Sequence, residues 1–80
     1  MENNDAYVDL ANAIIVQQAR DYMKALRMLK KYPDKQYYLD QIADIEDFFH
    51  SDQYAILTDA DPDYILEKMR EKVDEEEDDE

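Results

Sequence analysis

Apolar residues recur at intervals of three and four along most of the chain, the spacing of one helix face, and no stretch shows the alternation of a strand. The first run predicts a helix from about Asp5 to Tyr32. Asn4 or Asp5 is placed to cap it, and Pro33 stops it, because the residue before a proline is pushed out of the α region. Such a helix is roughly 40 Å long. Steps of about 100° per residue put Ala11, Ile14, Ile15, Ala19, Tyr22, Ala25, Leu26 and Leu29 on one side, the expected core face.

Asp34 is the expected cap of a second helix, about Lys35 to Phe49, whose inward stripe is Tyr38, Leu39, Ile42, Ile45 and Phe49. This helix is half as long as the first, so the rest of the chain is expected to fold back over the N-terminal half of the first helix. Ser51 caps a short helical turn carrying Tyr54, Ile56 and Leu57. Asp61-Pro62 reads as an N-cap followed by a proline at the first helical position. The last helix, about Pro62 to Val73, turns Ile65, Leu66, Met69 and Val73 inward. The expected architecture is all-α: a small bundle of a long N-terminal helix, an antiparallel second helix, a short connector helix and a C-terminal helix. Residues 1–73 form one domain, and residues 74–80 form an acidic tail, disordered or frayed, because seven consecutive carboxylates repel one another and bury nothing.

Composition narrows the chemistry. The 80 residues include no glycine and no cysteine. Without glycine there is no phosphate-cradling loop of the Walker or dinucleotide type, and without cysteine there is no disulfide, thiolate metal site or cysteine nucleophile. The chain has no apolar run of the roughly 20 residues needed to span a bilayer, and its acidic start is unlike a signal peptide. The expectation is a cytoplasmic protein that binds no cofactor.

Three candidate constellations fail on geometry. Asp59, Asp61 and Asp63 open like a calcium loop, but Tyr64 stands where the sharp turn needs glycine, and Arg70 where a bidentate glutamate is needed. Glu46, Asp47 and His50 resemble half of a bundle di-metal site, yet the single histidine cannot supply the second half. Ser51 is adjacent to His50, which does not bring hydroxyl and imidazole into triad geometry. The expectation is a protein that is not an enzyme.

Charge is the informative feature. The formal net charge is −13, and it is unevenly placed: residues 1–35 carry five acids and six bases, residues 36–80 seventeen acids and three bases. Arg20, Lys24, Arg27 and Lys31 form one line along the first helix, opposite its core face. Asp40, Asp44 and Asp47 line the second helix, and Asp63, Glu67 and Glu71 the last. Two readings stand for these lines. They are ordinary solvated faces, or they are docking surfaces, since same-sign neighbours on a helix cost a few tenths of a kcal/mol per pair that mixed signs avoid. An acidic helical surface can occupy a groove built for nucleic acid. The basic line offers the opposite possibility, accessory contacts to phosphate, against the repulsion of the whole-protein field.

Tyrosine is abundant, with seven in the chain. By phase Tyr22 and Tyr38 belong to the core, whereas Tyr37 points away from it and is a candidate interface anchor beside the acidic line. Ala13, Val16 and Met23 lie outside the core face and leave the N-terminal half of the first helix apolar almost all round. Either the last helix wraps further than expected, or two copies pack there as a dimer.

Two stretches carry a resemblance. One is Ala13-Ile14-Ile15-Val16-Gln17-Gln18-Ala19-Arg20-Asp21-Tyr22, followed by Ala25-Leu26 and Leu29-Lys30. The other is Glu46-Asp47-Phe48-Phe49-His50-Ser51-Asp52, with Leu57-Thr58-Asp59. Together, over roughly residues 11–70, they resemble an uncharacterised family of small helical proteins from phages and integrative elements of Gram-positive bacteria. The chain departs from that pattern at Gln53, where an aromatic is usual, and at Pro62, where a glycine is usual. The resemblance implies a mobile-element protein in a bacterial host cell and carries over no activity or site. Small acidic phage proteins often bind host proteins. The leading expectation is therefore an anti-defence inhibitor, a DNA mimic of anti-CRISPR type, whose partner is a basic host nuclease. A homodimeric structural or regulatory protein of the element is the alternative.

Overall fold

Four helices build the computed structural model, which describes residues 3–76: α1 (Asn3–Lys31), α2 (Gln36–Phe49), α3 (Asp52–Leu57) and α4 (Pro62–Glu75). The chain is an all-α bundle with a long first helix and a short connector. α1 begins at Asn3, ahead of the expected cap. Lys30 and Lys31 in its last turn complement the negative end of its dipole, and the chain turns at Pro33. The residue capping α2 is Lys35 rather than Asp34, in extended conformation and with no side-chain bond to the helix. The other two caps are as the residue types predict. The Ser51 hydroxyl accepts from the Tyr54 amide at 3.3 Å, and the Asp61 carboxylate accepts from the Asp63 amide at 3.0 Å, with Pro62 opening α4.

The core is built from Tyr22 of α1, Ile45 and Phe49 of α2, Tyr54 of α3 and Leu66 and Met69 of α4, flanked by half-buried Ile15, Ala19, Met23, Leu26, Ile42, Phe48 and Ile65. Phe49 is fully buried, its ring 5.1 Å from that of Tyr54 and 5.5 Å from that of Phe48. Two residues expected inside are exposed, Ile14 and Leu39, and Ile56 of the connector helix is exposed as well.

The expected return over the N-terminal half of α1 occurs only at its inner end: Ala11 is buried and Ile15 packs against the core, whereas Tyr7, Val8 and Leu10 stay exposed. The Lys30 ammonium donates to the Val73 carbonyl at 3.0 Å, and Arg70 reaches Tyr22, so α4 runs parallel to α1 along the C-terminal half that α2 already flanks. The reason is packing. Ile45 and Phe49 need covering from both sides, short connections favour antiparallel neighbours, and a three-helix core buries more apolar surface than two helices laid end to end. The N-terminal part of α1 projects from the bundle, giving a molecule 49 Å in its longest dimension and 18 Å in its shortest.

This geometry divides the expected dimer patch. Met23 packs against the core, whereas Ala13 and Val16 are exposed on the projecting part. The C-terminal end also differs from expectation. Asp74 and Glu75 complete α4 and Glu76 is bonded to α1, whereas residues 77–80 of the expected tail lie outside the described residues.

Candidate acidic binding face

The apolar stripe of α2 fixes where its acids point. With Ile45 and Phe49 turned inward, Asp40, Asp44 and Asp47 fall on the opposite side and are exposed. Asp40 accepts a bond from the Gln36 amide at 2.9 Å. Among the described residues, neither Asp44 nor Asp47 takes part in a side-chain hydrogen bond or ion pair. The three lie within about 10 Å of helix, or one charge per ~5 Å, somewhat wider than the 3.4 Å rise per phosphate on one DNA strand.

The acidic line of α4 is partly neutralised. Asp63 Oδ1 lies 2.6 Å from His50 Nε2, and Glu71 Oε1 lies 3.3 Å from Lys68 Nζ. Glu67 is exposed between them. The basic line is also interrupted. Arg20, Lys24 and Lys31 are exposed, but Arg27 holds both carboxylate oxygens of Glu76 at 2.8 Å. That pair pulls the carboxyl of Glu76 below its usual range and ties the end of α4 to α1. As an exposed bridge it contributes little stability.

Tyr37 is exposed and packs edge-on against Tyr38, ring centres 5.2 Å apart. Both line a groove of about 420 Å³ between α1 and α2, together with Asp21, Lys24, Ala25, Met28 and Gln41. Tyr37 precedes Asp40 by one helical turn and so stands beside the acidic line, while Lys24 brings the basic line to the same groove.

A network that the sequence reading did not find joins α1, α2 and α4. The Tyr22 hydroxyl donates to Glu46 Oε2 at 2.6 Å and accepts from Arg70 Nη1 at 3.0 Å. Arg70 and Glu46 are themselves 3.6 Å apart. The signal was present in outline, since a tyrosine in the core phase needs a partner for its hydroxyl. Burial first, and the bond to Glu46 second, push the Tyr22 phenol up to about 12. A raised folded value gives stability that is fully present below the unfolded value of about 10 and is lost as pH rises through 12. Urea unfolding across pH 9–12 is expected to show this alkaline loss in the natural protein, and a correspondingly smaller loss in Tyr22→Phe. Equal slopes for the two proteins would count against the network.

His50 is placed between two acceptors: Asp63 on Nε2, and the Glu46 carbonyl 3.0 Å from Nδ1. Only the imidazolium can donate to both, and the bond to Asp63 chiefly raises its pKa above the ordinary 6.5. The associated stability is present below the unfolded value and lost as pH rises through the folded one. An NMR titration should find His50 above its ordinary value and Asp63→Asn should lower it; no change on substitution would break the assignment.

Among the described residues, no group of three or more His, Cys, Asp or Glu side chains is placed to hold a metal ion, and no helix is long and apolar enough to cross a membrane. Compared with known proteins, the chain matches no family model, and no curated protein or solved structure is detectably similar to it.

Proposed function

We propose that the protein is a non-enzymatic binding protein whose α2 face engages a basic, nucleic-acid-binding host protein and inhibits or modulates it. The observation that supports this reading is the outward line of Asp40, Asp44 and Asp47, exposed along one rigid helix, with Tyr37 one turn away as an apolar anchor. Rigid carboxylates at this spacing meet a Lys/Arg groove without first being ordered, and their field speeds encounter with a cationic partner. Glu67 extends the acidic surface on α4. Asp63 and Glu71 join it when the partner displaces His50 and Lys68, which exposed ion pairs permit at small cost. The mobile-element context comes from the resemblance of residues 11–70, and it makes a host nuclease the natural class of target.

Direct contact with nucleic acid through α1 is the weaker reading. Arg27 is already engaged by Glu76, and the remaining cations stand in the field of a molecule with net charge −13. The test is a pull-down from nuclease-treated host lysate, eluted with rising salt and read by mass spectrometry. Recovery of one basic nucleic-acid-binding protein, released as salt screens the contact, is the expected result. If the bait returns with no basic partner at any salt concentration, the acidic lines are solvated faces and the reading falls.

A further inference from the structure

The projecting end of α1 presents a face that nothing in the bundle covers. Tyr7, Leu10 and Ile14 are 51%, 61% and 40% exposed, and Ala6, Ala13 and Gln17 are exposed beside them. At about 100° per residue these six fall in one band of roughly 120°. Ala6, Leu10, Ala13 and Gln17 follow the four-three-four spacing of a helix-pairing seam, with Tyr7 and Ile14 along one edge. The band lies on the side of α1 that Asp21, Ala25 and Met28 present to α2 further down the helix. It is a helix-packing face that continues past the point where α2 ends.

We infer that this face pairs with the same face of a second copy, antiparallel, about a two-fold axis at Leu10. Two features of the chain select that occupant. First, the band is self-complementary under this symmetry, which brings each of its edges against itself: Leu10 meets Leu10, Tyr7 meets Ile14 on one edge, and Ala6 meets Ala13 on the other, where small side chains let the helices approach. Secondly, charge allows it. From Ala6 to Ala19 the only charged residue is Asp9, in a chain that is 39% charged. Asp9 lies about 100° around the helix from Leu10, off the band. The antiparallel arrangement also places the two acidic bundles at opposite ends of the pair, about 40 Å apart, several times the ~8 Å screening length at physiological salt. A parallel arrangement brings them side by side. Each protomer contributes only a few turns of helix, at the small end of interface sizes, so the dimer is weak and concentration-dependent. The pairing is independent of the acidic face of α2, which it leaves open on both protomers.

The chain has no cysteine, so single-cysteine variants report the geometry directly. Sedimentation of the natural protein from about 10 μM to about 1 mM, the range a small interface implies, is expected to show a reversible monomer–dimer equilibrium. Leu10→Glu, with helicity unchanged by circular dichroism, is expected to remain monomeric. Leu10→Cys is expected to form a disulfide-linked dimer on mild oxidation. Ile14→Cys, about 12 Å from its symmetry mate along the axis, and Val16→Cys, on another side of the helix, are expected not to. A monomer throughout the concentration range overturns the inference. So does crosslinking of Ile14→Cys or Val16→Cys as fast as Leu10→Cys, which would report a parallel or random encounter.

Discussion

Replacing Phe49 by alanine is expected to lower stability by about 3–5 kcal/mol. A chain of this size has only about 4–12 kcal/mol in total. The ring is fully buried and forms an aromatic cluster with Phe48 and Tyr54, and it meets the core where α2, α3 and α4 converge. Alanine removes the apolar area and leaves a cavity that three helices cannot all close. With a urea slope near 1 kcal/mol/M, the unfolding midpoint should fall by about 3 M or more, leaving the variant marginal or unfolded at 37 °C. Leu39→Ala provides the contrast. Leu39 shares the apolar spacing of α2 but is 42% exposed, so its loss should change stability by less than about 1 kcal/mol. Similar losses for the two variants would mean that the core is not centred where α2 ends.

Reversing Asp40, Asp44 and Asp47 to lysine together should weaken binding of the basic partner by at least about a hundredfold, or ~2.7 kcal/mol, mainly through slower association. Each aspartate is exposed and none supports the core, so the fold should survive, with helicity and urea midpoint close to those of the natural protein. The basic line of α1 is the control. Reversing Arg20 and Lys24 to glutamate should leave the affinity equal or slightly higher, because it removes cations that repel the partner. Surface plasmon resonance at two salt concentrations measures both effects. Unchanged affinity in the folded triple variant would remove α2 from the interface.

Most of the helical architecture was legible in the chain because its signals are local. Proline at 33, serine at 51 and the Asp61-Pro62 pair mark helix ends through backbone chemistry that needs no tertiary contact. The outward position of the acidic lines was equally legible, since the phase of Ile45 and Phe49 determines the phase of Asp40, Asp44 and Asp47. The cap of α2 was not legible. Asp34 is the better capping residue, but the turn after Pro33 carries the chain one residue further, so that the cap is Lys35 and the helix begins at Gln36.

Periodicity identifies a face without saying what covers it. Ile14 and Leu39 have the spacing of core residues and are exposed, while Met23 lies off the main face of α1 and packs inside. Both outcomes follow from where α4 sits. Its placement along the C-terminal half of α1 buries Met23 and leaves Tyr7, Leu10 and Ile14 open on the projecting half. The partners of charged residues were hidden for the same reason. Arg27 with Glu76, His50 with Asp63, and Arg70 with Tyr22 and Glu46 are pairs brought together only by helix docking.

Sequence alone determined that this protein is helical, where most of its helices end and which way its acids face, because helix geometry and capping act over three or four residues. Tertiary structure decided which half of α1 is covered, which acids and bases neutralise one another and which apolar residues remain exposed. Those outcomes depend on how a few interhelical contacts divide the buried surface, a competition between distant segments that no local pattern records.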